Sequence, residues 1–142
     1  MQNDHVIYGS QHVTAMRVFR VNKETLTLTS IAGGREEWYP GEIKQSRCKV
    51  ALGHEDLKPS LNCTCGIWAC KNRRELHKLF GFCNDIVSAQ VELWGVVIEH
   101  EFGYRAEFAR IIPESITAYP RREKPRNVRL VRHLRAKYNV AT

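Results

Sequence analysis

No run of about 18 apolar residues occurs anywhere in the 142-residue chain, so no membrane-spanning helix is expected. The opening MQNDHVIYGS has neither the basic start nor the apolar stretch of a secretory signal. The expectation is a cytoplasmic protein with no membrane partner. Internal repeats and low-complexity segments are missing too, as are the Cys-x2-Cys pairs that form the usual half-sites of zinc modules. Five cysteines are nevertheless present, at positions 48, 63, 65, 70 and 83. Their odd number argues against a full set of disulfides, and in a reducing compartment such thiols ligate metals or are buried. A chain of this size buries roughly 68 to 70 % of its unfolded surface, which is enough to fold without disulfides.

Acid is what the C-terminal segment lacks. Residues 121–142 hold eight basic side chains and one acid, Glu123, whereas residues 1–120 balance 14 Lys or Arg against 14 Asp or Glu. The whole formal charge of +7 therefore sits in the last 22 residues. Such asymmetry points to a polyanion, RNA or DNA or a nucleoprotein complex, met by Arg121, Arg122, Lys124, Arg126, Arg129, Arg132, Arg135 and Lys137. A tail that only confers solubility is the plainer alternative.

Period-two alternation from residue 11 puts Val13, Ala15, Arg17, Phe19 and Val21 on one face of a strand, and TLTLTSI pairs back as a hairpin. Residues 35–59 read as a long loop with at most one short helix after Pro40, and Trp38-Tyr39 in it as the most exposed aromatic pair. Asn72-Arg-Arg-Glu75 matches a capping box for a helix from about Arg73 to Phe80, with Leu76, Leu79 and Phe80 inward. Two long strands follow, joined at Glu101-Phe102-Gly103, with Gly103 expected in the left-handed region. In that register His100 faces Tyr104 and Glu99 faces Arg105. After a proline-broken linker, Leu130, Val131, Leu134 and Tyr138 form an apolar stripe at helical spacing.

Cys48, His54, Cys63 and Cys65 offer four zinc ligands, spaced C-x5-H-x8-C-x-C, inside a loop that otherwise has little reason to stay ordered. Gly66 lets the Cys-x-Cys pair turn tightly. The alternative is that Cys63 and Cys65 are half-buried small residues, since free cysteine is often buried. Cys70 reads as core, and Cys83 with His77 as a weaker source of ligands. EHEFGYRAE gathers Glu99, His100 and Glu101 at one turn, a set suited to acid-base chemistry. A cross-strand ionic group that pins register explains the same residues.

CTCGIWA followed by ELWGVVIEHEFGYRAEFA resembles a pattern in small bacterial and phage proteins, a CxCGI-aromatic-A segment ahead of an LWG-x-V-x-EHE-x-GYRAE strand pair. The resemblance covers roughly Cys48 to Ala109, with Trp68 standing where tyrosine is expected. It implies that Cys63, Cys65, Gly66, Trp94, Gly95, Glu99, His100, Gly103, Tyr104, Arg105 and Glu107 belong to a signature, and it implies no activity.

The combined expectation is an α+β, hairpin-rich small domain over residues 1–120 with a zinc knuckle, then a basic linker and amphipathic C-terminal helix over 121–142. The leading function is a zinc-stabilised nucleic-acid-binding module. The alternatives are a protein-binding adaptor or inhibitor, perching its C-terminal helix in a partner's groove, and a small hydrolase-like enzyme centred on the EHE hairpin.

Overall fold

The protein is described by a computed structural model over residues 4–7, 12–31, 36–48, 59–61, 63–80, 86–119 and 125–139. Strand alternation from residue 13 forms β2 (Val13–Asn22), flanked by a short β1 (His5–Ile7) and followed by β3 (Thr27–Ser30) across a turn in which Leu26 takes φ 54°. Residues 36–48 contain no helix and instead supply two short strands, β4 (Glu37–Trp38) and β5 (Lys44–Gln45). β6 (Ile67–Cys70) leads into α1 (Arg73–Phe80), and the most apolar text in the chain forms β7 (Ile86–Glu99) and β8 (Gly103–Ile111). A 3-10 turn (Pro113–Ser115), β9 (Thr117–Tyr119) and α2 (Pro125–Tyr138) complete the described elements.

The expected α+β architecture with a zinc knuckle and a basic helix is not what forms. The protein is mainly β, and β7, β8, β6 and β2 close into a four-stranded barrel, because β7 pairs with β8 along one edge and with β2 along the other. β7 is 14 residues long, enough to serve both neighbours. Closure removes the exposed strand edges that two separate hairpins would have left.

In the main core, Phe19, Leu28, Leu93, Val97 and Ala106 are fully or almost fully buried. Arg17 shares the strand face expected for it, yet a charge there needs partners. Its guanidinium lies over the rings of Trp38 and Phe19, 5.0 and 5.6 Å from their centroids, and donates to Ser30 Oγ at 3.0 Å. Burial lowers its pKa to about 10. Trp38, expected to be exposed, is 3 % exposed, while its neighbour Tyr39 does face solvent.

Outside the barrel, α1 covers β2 and β6. Asn72 Oδ1 accepts from the Glu75 amide at 3.0 Å, forming the expected cap, and Leu76 packs with Val18, Cys70, Ile86 and Tyr119. Leu79, expected inward, is 70 % exposed, because the helix buries one narrow stripe only. α2 is an integral layer of the core: Leu134 and Tyr138 are buried with Leu28, Trp38 and Ile116. The Tyr138 hydroxyl accepts from the Leu28 amide at 2.7 Å and donates to the Trp38 carbonyl.

The turn between β7 and β8 departs from expectation by one residue. Glu99 lies opposite Tyr104, and Ile98 opposite Arg105. Gly103 is a strand residue paired with Cys70, and a Cβ there would sit 2.5 Å from the Ala69 carbonyl oxygen. The close passage of β6, rather than the turn itself, therefore requires the glycine. Gly95 does take positive φ, 77°, at a bulge between Trp94 and Val97, where buried Glu107 accepts the Val96 amide at 3.0 Å. No described helix is long and apolar enough to cross a membrane.

Candidate metal centre

β8 brings the cysteines together. β5 pairs with its far half (Lys44 with Ala109, Gln45 with Phe108), β6 pairs with its near half (Ile67 with Ala106), and Cys48 and Cys65 lie just beyond those two strands. A backbone turn from Ser60 to Cys63 (3.1 Å) then folds the second arm back. As a result the sulfurs of Cys48, Cys63 and Cys65 all lie within 4.8 Å of one another, with Cys48 and Cys63 Sγ 3.4 Å apart. A tetrahedron with metal–sulfur bonds of about 2.3 Å has sulfur–sulfur edges of about 3.8 Å, so the observed spacing brackets that of a bound metal. All three residues are half-buried.

The electrostatics suit a cation. Burial pushes the Cys65 thiol up, the neighbouring thiols of Cys63 and Cys48 add to this, and a backbone hydrogen bond with Ser60 opposes it. A pushed-up thiol keeps its proton, and a divalent cation that displaced it would hold the sulfur as a thiolate ligand. The fourth expected ligand, His54, lies outside the described residues, as does Cys83. Cys70 sits in the core as expected, with burial and then Glu75 pushing its thiol up and Arg17 opposing.

Arg105 secures the loop. Only 3 % exposed, it donates from Nη1 to the Cys65 carbonyl (2.7 Å), from Nη2 to the Ser60 carbonyl (3.0 Å) and from Nε to His100 Nε2 (2.9 Å). His100 Nδ1 in turn lies 2.9 Å from Asp4 Oδ2, and Trp68 stacks on the imidazole at 4.9 Å between centroids. Gly66, with φ 119°, lets the backbone pass over this arginine, since a Cβ there would lie 2.9 Å from Arg105 Cβ. Sequence reasoning missed this role and paired Arg105 with Glu99. The 40-residue separation between Arg105 and Cys65 leaves no local signal to find.

The residues expected around acid-base chemistry are brought together only in part. Glu99 lies 2.8 Å from Lys71 Nζ and 2.9 Å from His5 Nε2, and the Lys71 hydrogen bond holds its carboxyl below the usual range. Glu101 is exposed. The basic segment is likewise divided. Arg135 Nε donates to the Ile116 carbonyl at 2.8 Å and Lys137 Nζ to the Thr25 carbonyl; Arg129, Arg132 and Arg135 are all exposed. Arg121, Arg122 and Lys124, and the side chain of Arg126, lie outside the described residues.

Compared with known proteins, the chain matches no family model, no curated protein and no solved structure.

Proposed function

We propose that the protein is a zinc-stabilised nucleic-acid-binding module, with Cys48, Cys63 and Cys65 as three zinc ligands and His54 as the fourth. The observation that supports the metal is the gathering of three thiols from two arms of the sheet edge to within 4.8 Å. Thiolate ligands favour soft or borderline ions, and among these zinc suits a tetrahedral structural site. Its work here is to fasten the segment between β5 and β6 to the barrel. Metal analysis of the purified protein is expected to find one zinc per chain. Chelation lowers Tm by about 10 °C or more and added zinc restores it. A chain without metal that has the same Tm would overturn this half.

The polyanion reading is supported by the concentration of basic residues in 121–142, of which Arg129 and Arg132 face solvent. Contacts of this type are made to phosphates, so affinity falls with salt and depends little on sequence. A gel-shift series from low to high salt tests it, and absence of binding to both RNA and DNA at low salt would overturn it. The adaptor reading is disfavoured for this helix, since Val131, Leu134 and Tyr138 are already buried against the protein's own barrel.

A further inference from the structure

We propose that Cys48 and Cys63 are a reactive pair that a hydroperoxide converts to a disulfide, expelling the metal without unfolding the barrel. The expulsion rests on the zinc reading above, and the disulfide rests on geometry alone. Their sulfurs are 3.4 Å apart, and closing to a bond of about 2.05 Å needs about 1.4 Å of movement shared between two half-buried side chains. Cys65 is close to both but is a poor partner for Cys63, because only Thr64 separates them and the ring formed would be strained. Cys70 does not compete, being buried under α1 with Val18 and Leu76. Joining 48 to 63 closes a loop of 15 residues, long enough to be unstrained and already anchored at both ends. One anchor is the β5–β8 pairing, and the other is the hydrogen bond from Arg105 to Ser60.

The reaction balances as two thiolates, one hydrogen peroxide and two protons giving one disulfide and two waters. One thiolate attacks a peroxide oxygen, the O–O bond breaks, and a sulfenic acid forms as hydroxide leaves. The second thiolate attacks the sulfenic sulfur, the S–S bond forms, and a second hydroxide leaves. Each sulfur loses one electron, and both hydroxides take a proton from solvent. Cys65 is then the one thiolate remaining from the three, which is too few to retain zinc.

The test treats the zinc-loaded full chain with hydrogen peroxide, alkylates the remaining thiols and maps peptides without reduction, while a chromogenic indicator follows released zinc. The expected result is a Cys48–Cys63 linked peptide in the monomer, one zinc released per disulfide, an unchanged β-type circular dichroism spectrum, and reversal by a dithiol. Cys65→Ser is expected to keep the cross-link and Cys48→Ser to lose it. A Cys63–Cys65 link, a disulfide between chains, or oxidation to sulfinic acid without cross-linking overturns the proposal, and mapping of the unsubstituted protein decides this even where a variant fails to fold. Cross-linking in a protein that never held zinc upholds the pair and refutes the metal reading. Bound zinc with no cross-link does the reverse.

Discussion

Arg105 connects the turn of the β7–β8 hairpin to the thiol loop through three donors in one plane, aimed at two carbonyls and an imidazole. Lysine retains the charge but has a single nitrogen, so it cannot span those acceptors. Arg105→Lys is therefore expected to cost about 2–4 kcal/mol in denaturant unfolding, since buried carbonyls lose their partners. If the three thiols hold zinc as proposed, affinity for it should fall too, because Cys65 is no longer held in place. Tyr138 of α2 makes a similar argument. Burial pushes its phenol up to about 12, and folding thus favours the neutral form. The folded pKa is raised, so this stabilisation is complete below the ordinary value of about 10 and is lost as pH rises through 12. Tyr138→Phe should remove that alkaline transition from a stability-against-pH curve. At neutral pH it should cost about 1–3 kcal/mol by leaving the Leu28 amide unpaired.

Among the elements, β7 carries the most. β2 pairs with the first part of β7, from Ile86 to Leu93, and β8 pairs with β7 on both sides of the bulge, from Val91 to Glu99. The bulge depends on Gly95, where an added Cβ would lie 2.5 Å from Glu107 Oε1 and 2.8 Å from Phe108 Cδ2, and where φ is already left-handed. Gly95→Ala is expected to destabilise by about 2–4 kcal/mol, combining backbone strain with overpacking. Thermal unfolding measures it, and a shift within error would mean that the bulge relaxes at no cost. Several residues of the two sequence segments find a structural explanation here: Gly66, Gly95 and Gly103 at close backbone approaches, Glu107 on a bulge amide, and His100 and Arg105 in the connection to the thiols. The strands themselves were legible, since alternation marks β2, β7 and β8 directly. Their register was not, because the approach of β6 to Gly103 is a contact across more than 30 residues.

For the whole molecule, the basic segment and the core are not separable parts. α2 places Leu134 and Tyr138 among core residues, and Arg135 and Lys137 donate to the Ile116 and Thr25 carbonyls from the helix surface, where Arg129 and Arg132 also lie. Deleting residues 125–142 should therefore abolish cooperative folding. Replacing Arg129 and Arg132 together by Gln should leave Tm within about 2 °C. If these two meet phosphates, the same double variant lowers the slope of log affinity against log salt by about 2. An unchanged slope would assign binding to other residues.

Composition and local pattern alone established the charge asymmetry, the absence of long apolar runs, the strands around the hairpins, the capped helix after Asn72, and the suspicion that fell on Cys48, Cys63 and Cys65. All of these depend on side-chain chemistry and on neighbours within a few positions. The closed barrel, the β7–β8 register, the burial of Trp38 and the role of Arg105 were decided only in three dimensions. Each depends on which strand edge lies beside which, and that is settled by the joint packing of distant segments, 110 residues apart in the case of Leu28 and Tyr138, rather than by the propensity of any one.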